Sequence, residues 1–467
     1  MLTNTPAATT ATTEATATAT TTSSTKGAGA TAASTADSDI IFQRCSDKEA
    51  QELFFNWSKT EQWNPGAKGA DIPGAMFKAD PQGFFMGKVP KKDSPGEFET
   101  VSMISGVRYG EEQAWIGFYV VAPEHRGRGY GLKSFQNAMK HAQSTSTDGV
   151  IRPSVGLDGV MAQVDNYRRS GFTEVGWLNE RRHGSASDLV HKQEKDLAEK
   201  ISRDEIPGLV DLIVRDKLVL REEAKKQEEK AGATASASKA PATTTATADV
   251  TSAEKENEQR NQSFLGLKAD ALVGSDFQDA VESAFTAATT AVLAPLSLAP
   301  TAPVTKLADW AQLSPMEQKY TGLKRPGFVR DWVQFHADHP EYHRFTAAVL
   351  SQDQKDPESG LPVVLGYACV RPAESSYRVG PLYAATPKIA KQLLVKLACD
   401  MVQAEKIKPL GVPLEMDIDV PDTNAEAIKL FDGLGWPNTF PSLRMWNGKV
   451  PKHDASGVFG ITTLEVG

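Results

Sequence analysis

Residues 122–131 read Ala122-Pro123-Glu124-His125-Arg126-Gly127-Arg128-Gly129-Tyr130-Gly131, and what stands on either side of them sets the fold. Before them runs AWIGFYVV (114–121), an apolar strand pattern that Pro123 ends. After them, Leu132, Phe135, Met139 and Ala142 recur at steps of three and four while Lys133, Gln136 and Lys140 fall opposite, the period of an amphipathic helix. A strand that feeds a glycine loop and then a helix makes an anion cradle. The helix N-terminus presents N–H groups and the positive end of its dipole, and Gly127, Gly129 and Gly131 let a phosphate reach the main chain without meeting a Cβ. Arg126 and Arg128 add charge. A Gly/Arg string alone also fits an RNA-binding segment or a plain turn, but this one does not repeat and lies between two regular elements.

Further out, FFMGKV (84–89), TVSMISGVRYG (100–110) and AWIGFYVV predict an antiparallel meander, with Tyr109-Gly110-Glu111-Glu112 as its last turn. Downstream stands Asp165-Asn166-Tyr167-Arg168-Arg169-Ser170-Gly171-Phe172. On these segments the chain resembles the GNAT superfamily of acyl-CoA-dependent N-acetyltransferases. Arg126 to Gly131 fits the family's R/Q-x-x-G-x-G/A pyrophosphate loop, and Tyr167 to Phe172 its Y-x-x-x-G-F segment. The resemblance implies an α/β (α+β) fold, a mixed, mostly antiparallel twisted sheet flanked by helices. It implies acetyl-CoA as co-substrate, held by Arg126, Gly127, Arg128, Gly129, Tyr130 and Gly131 at the pyrophosphate and by the main chain of Tyr119, Val120 and Val121 along the pantetheine arm. Tyr167 is implied as the acid that protonates the departing thiolate; beside that stands a plainer reading, a core ring whose hydroxyl finds some partner. Two positions depart from the family pattern. Its strand Glu falls on Trp115, which cannot accept a proton, and its customary Asn on Val160. Glu111 and Glu112 are near, on the turn, and the base stays unassigned.

A second cycle follows. LPVVLGYACVR (361–371) and YRVGPLYAAT (377–386) read as strands, Pro387 opens a helix to Lys406, and PLEMDIDV (413–420) reads as a buried strand. Asn424 to Trp436 then resembles the second GNAT motif, Asn included, which suggests a tandem pair with a divergent, non-catalytic second domain. Its loop, Tyr383-Ala384-Ala385-Thr386-Pro387-Lys388-Ile389-Ala390, has neither glycine nor arginine, and Phe431 stands where Tyr167 does. A phenyl ring donates no proton. His336, His339 and His343 are spaced like metal ligands, yet Pro340 interrupts any helix that would present them on one face, and no metal is expected.

Composition frames the rest. The chain has 467 residues, 59 acidic against 51 basic, a net charge of −8, 40% hydrophobic residues and three cysteines. The charge argues against a sequence-blind nucleic-acid binder, and scattered cysteines without CxxC spacing read as reduced thiols. No run approaches the ~18 apolar residues of a membrane span, and the first residues lack a signal peptide's basic and apolar regions, so a cytoplasmic, non-membrane protein is expected. Biased composition divides the chain into an Ala/Thr-rich disordered tail (1–38), a catalytic domain (39–190), a charged-helix and low-complexity linker (191–300) and the divergent domain (301–467). The expected activity is transfer of acetyl from acetyl-CoA to a primary amine of a small molecule by direct attack on the thioester. Acetylation of a protein N-terminus or lysine, and a non-catalytic acyl-CoA-binding sensor or scaffold, are the alternatives. The sequence sets neither the acceptor nor the oligomeric state.

Overall fold

The computed structural model describes residues 40–144, 153–202 and 307–467. The tail at 1–38 lies outside the described residues, as does the linker beyond Ser202. The first half runs β1 (Ile41–Arg44), α1 (Asp47–Thr60), a single turn α2 (Phe77–Ala79), β2 (Phe84–Pro90), β3 (Phe98–Tyr109), β4 (Gln113–Val121), α3 (Tyr130–Ala142), β5 (Ser154–Val160), α4 (Val164–Arg169), β6 (Glu174–Ser185) and α5 (Ala186–Ser202). The second runs α6 (Leu307–Thr321), α7 (Pro326–Ala337), β7 (Phe345–Lys355), β8 (Pro362–Pro372), β9 (Tyr377–Ala384), α8 (Pro387–Ile407), β10 (Glu415–Pro421), α9 (Ala425–Leu434), β11 (Asn438–Asn447) and β12 (Val458–Gly460). Local chemistry sets several boundaries. Ser46 and Glu49 form a reciprocal capping box on α1, Thr386 caps α8 ahead of Pro387, and Asn424 caps α9, which ends on Gly435 in the left-handed conformation.

Among the described residues all the strands join one sheet, in the order β1-β2-β3-β4-β5-β11-β6-β10-β9-β8-β7, with β12 on β9. Of these pairings β4–β5 and β9–β10 are parallel and the others antiparallel, so the expected mixed, mostly antiparallel order holds. The two halves are not separate layers. β11 of the second half lies between β5 and β6 of the first, and β6 pairs in turn with β10 of the second. Each half thus completes the other's sheet. The exchange is fastened by matching ion pairs: Arg444 of β11 grips Asp158 of β5 at 2.9 and 2.6 Å, and Arg181 of β6 grips Asp419 of β10 at 2.8 and 3.2 Å. The boundary placed at 190 falls inside α5, whose Ala186, Leu189 and Val190 pack in the second half's core with Leu394, Ala398 and Val420.

On α3 the buried face differs from expectation. Leu132 is 57% exposed, whereas Ser134, Phe135, Ala138 and Ala142 are buried. Ser134 bonds Ser102 of β3 at 2.7 Å, and Gly106 of β3 lies under Ala138. A polar, small-residue contact of this kind leaves no mark on a hydropathy pattern.

The parallel pairs part at the same point in both halves. β4 pairs with β5 from Gln113↔Ser154 to Ile116↔Leu157, and β9 with β10 from Tyr377↔Met416 to Val379↔Ile418. Beyond, both strands diverge. The second wedge is filled by the chain itself: β12 pairs with β9 at Tyr383 and Leu382, and Ile461 N–H donates to Asp419 O on β10 at 3.0 Å. The first wedge is hollow. Among the described residues, no helix is long and apolar enough to cross a membrane.

Candidate active site

A cavity of about 470 Å³ occupies the first wedge. Its floor is Ile116 to Val121 of β4; Leu157, Asp158 and Val160 of β5 face them, and Arg126, Gly127 and Gly131 stand at one end with Tyr167 along the side. Phe118 has φ 49°, an unusual value for a bulky residue, and marks where β4 swings away from β5. From Gly117 to Val121 the β5-facing backbone groups of β4 therefore have no ladder partner.

The loop is built as a turn into a helix. Pro123–His125 form a short 3₁₀ turn, Gly127 and Gly129 take φ values of 78° and 80°, and Gly129 is the N-cap of α3, with no side chain capping the first-turn N–H groups. Arg126 donates to Val121 O at 2.9 Å and pairs with Glu61 at 2.5 Å while remaining half exposed at the mouth. Of the residues expected to hold a cofactor, Tyr119, Val120, Val121, Arg126, Gly127 and Gly131 line the cavity. Arg128, Gly129 and Tyr130 do not: Arg128 is turned back onto Glu124 O at 3.0 Å, and the Tyr130 ring is buried with Val89 and Val101.

Tyr167 is 9% exposed, its ring 6.1 Å from that of Phe135, and it lines the cavity. Burial, with Tyr119 nearby, pushes its phenol above the usual tyrosine range, and burial does the same to Tyr119. Both are neutral at pH 7. Trp115 is fully buried, donates to Leu464 O at 3.1 Å, packs edge-on against Trp446 and takes the Arg444 guanidinium over its face at 4.6 Å. It is a strut, and it is absent from the cavity wall. Glu111 and Glu112 are absent from it too.

The far end of the cavity is made by residues that spacing could not bring together: Trp63, Arg181, Phe440 and Ser442 of β11, and Leu464 and Glu465 past β12. Arg181 is held by Asp419 and stacks over Phe440 at 5.0 Å. Burial works to raise the Asp419 carboxyl, but Arg181 and Arg378 overcome it and hold the pKa below the usual range. At Asp158 burial wins, and the carboxyl lies above the usual range despite Arg444.

The three histidines do not converge. His336 faces Arg344 at 3.1 Å, His339 contacts Phe335 O at 2.7 Å, and His343 contacts Tyr377 Oη at 2.8 Å and Lys408 O at 2.9 Å. Cys45, Cys369 and Cys399 are not in disulfides, and burial pushes the Cys45 thiol up to about 12.

Comparison with known proteins agrees with this geometry. The model of the acetyltransferase (GNAT) family matches residues 43–172, and that of an acetyltransferase (GNAT) domain matches residues 314–460. Holothin acyltransferase from Pseudoalteromonas sp. (strain SANK 73390) is 31% identical over 421 residues, which cover 90% of this chain and 92% of that protein. Two solved structures are similar at lower identity. A tandem GNAT protein from the clavulanic acid biosynthesis pathway is 12% identical, with 88% of this chain and 99% of that one covered and a TM-score of 0.40. A GCN5-related N-acetyltransferase from Sphaerobacter thermophilus is 12% identical, with 91% and 98% covered and a TM-score of 0.41. With two family domains in one chain and a relative that spans nearly all of it, the protein belongs to the GNAT superfamily, as an N-acyltransferase of the tandem type.

Proposed function

We propose that the chain transfers an acetyl group from acetyl-CoA to a primary amine of a small molecule, using the first half, 39–190, as its catalytic lobe, and that the 301–467 half is non-catalytic. One observation carries this reading: the hollow wedge that opens past Ile116↔Leu157, continuous with the glycine loop at one end and flanked by Tyr167. The pyrophosphate sits on the main chain of Arg126 to Gly131, and Arg126 adds charge at the mouth. The pantetheine amides pair with the freed backbone of Tyr119, Val120 and Val121, as a strand would. The thioester carbonyl then lies near a β4 N–H that stabilises the oxyanion when the amine attacks. The C–N bond forms, the C–S bond breaks, and the thiolate takes the Tyr167 proton. The burial that makes this phenol a weak acid also raises the energy of a thiolate beside it, so transfer between them is less uphill than in water.

A small acceptor is favoured by the size of the cavity, about 470 Å³, whose lining includes Trp63, Phe440 and the Leu464–Glu465 segment. The test is release of CoA thiol from acetyl-CoA with a panel of primary amines, for the wild type and Tyr167→Phe. Tyr167→Phe should bind acetyl-CoA as the wild type does and turn over about 10²-fold or more slowly. Acetyl-CoA binding without turnover of any amine by the wild type would favour the sensor instead.

A further inference from the structure

The catalytic strand offers the acceptor amine no proton acceptor, since Trp115 stands where a carboxylate would be and is sealed in the core. An alkylamine is largely protonated at neutral pH and must shed a proton to attack. Three carboxylates line the cavity: Glu61, Asp158 and Glu465. Glu61 is at the mouth, paired with Arg126. Asp158 has no exposed side-chain surface, and its oxygens are taken by Arg444 and Asn179. Glu465 differs. Its Oε2 accepts from Thr463 Oγ1, while the nearest cation to Oε1 among the described residues is Arg378 Nη1 at 3.9 Å, and Arg378 Nη2 is committed to Asp419 at 2.5 Å.

Its placement is firm. Trp115 Nε1 holds Leu464 O at 3.1 Å, and Tyr109 Oη and Arg325 Nη1 both hold Val466 O at 2.5 Å, so the residue between is fixed from both sides. The Glu465 carbonyl lies against Gly117, only 1.9 Å from where a Cβ there would stand. Gly117 is the first residue of β4 past the last pair with β5, which is where the wedge opens. The segment that plugs the second wedge therefore continues across the molecule and delivers a carboxylate to the apex of the first.

We infer that Glu465 is the carboxylate that receives the acceptor's ammonium group and removes the proton that keeps its nitrogen from attacking, an assignment that rests on the acetyl-transfer reading above. Glu465 Oε1 takes a proton from the ammonium and hands it to water, the neutral nitrogen attacks the thioester carbon, its second proton passes to Glu465 as the C–N bond forms, the C–S bond breaks, and Tyr167 protonates the thiolate. Glu465 and Tyr167 then regain their starting states by proton exchange with water. Arg378 of β9 and Arg371 of β8, with Asp71 beyond them, flank Glu465, as does Arg181 of β6 with Asp419 of β10, and Asp158, Tyr167, Tyr119, His125, Glu61 and Arg126 line the same cavity. Trp63 and Phe440 supply aromatic walls, so an arylalkyl amine is the acceptor class this end fits.

The experiment uses the full chain as wild type, Glu465→Gln and Glu465→Asp, with 2-phenylethylamine as the acceptor probe and calorimetry of acetyl-CoA as the control. Glu465→Gln should keep acetyl-CoA affinity within about twofold and lose about 100-fold in kcat/KM for the amine at pH 7, a loss that shrinks as pH rises and more of the amine is already neutral. Glu465→Asp, which keeps the charge on a shorter arm, should fall between the two. A merely structural role would leave the loss the same at every pH. The assignment is overturned if Glu465→Gln acetylates the probe within threefold of wild type, if it loses acetyl-CoA binding as well, or if the wild type binds acetyl-CoA and leaves the probe untouched. A wild type that binds no acetyl-CoA would instead bring down the reading beneath it, and the calorimetric control tells these failures apart.

Discussion

Gly129 shows what a single position contributes. At φ 80° it is the N-cap of α3, and open space surrounds its missing Cβ, so a side chain there meets a conformational penalty and not a clash. For an L-residue that penalty is roughly 1–2 kcal/mol, small against the stability of a domain but enough to displace a loop proposed to hold the pyrophosphate through its main-chain N–H groups. Gly129→Val should therefore weaken acetyl-CoA binding about tenfold or more in a calorimetric titration while the thermal melt stays cooperative. Unchanged affinity would place the pyrophosphate elsewhere. The loop was readable because it is contiguous: Arg126 to Gly131 declare themselves in six positions. Tyr167, also on a contiguous motif, lies on the wall of the same cavity, whereas the side chains of Arg128 and Tyr130 turn away from it, which residue order does not reveal. Glu465 was invisible, because nothing near it in sequence hints that it meets Gly117 across 348 residues.

At the level of elements, the two wedges started alike and ended differently. In each, a parallel pair parts after its last paired residue, at Ile116 in β4 and Val379 in β9. β12 and Ile461 take up the hydrogen bonds of the second, so a pantetheine arm would have to displace a segment whose Val458, Phe459 and Ile461 are buried. Calorimetry of the full chain should accordingly give one acetyl-CoA per chain; two equivalents would mean that β12 yields. The sequence showed that the second loop lacks glycine and arginine but not that its cleft is filled, because a three-residue strand such as Val458–Gly460 has too short a pattern to read. Six strands, β2, β3, β4, β8, β9 and β10, were legible from their apolar runs, while β5, β6, β7 and β11, with polar residues interleaved, were not. Their neighbours were not: period-two alternation says which face is buried and nothing about which strand lies alongside, so the insertion of β11 between β5 and β6 had no sequence signature.

The whole molecule is tied together by that exchange and by buried charge. Asp71 of the first half meets Arg344 and Arg371 of the second, all with side chains 3% exposed. Asp71→Asn leaves two buried guanidiniums uncompensated and should cost about 3–5 kcal/mol, measured by denaturant unfolding. Burial works to raise the Asp71 carboxyl, yet the two arginines hold its pKa well below the usual range. Because the folded value lies below the unfolded one, its contribution is complete above about pH 4 and is lost as pH falls further. Wild-type stability should thus decline in acid more steeply than that of Asp71→Asn, and parallel curves would refute the coupling. Both halves should also unfold in one transition, since neither has a complete sheet alone. If acyl-CoA enters the open wedge of the first half and the filled wedge of the second stays shut, as proposed, hydrogen–deuterium exchange of the full chain should slow across 117–131 on addition of acetyl-CoA and stay unchanged across 380–390. Slowed exchange at 380–390, or none at 117–131, would overturn that assignment.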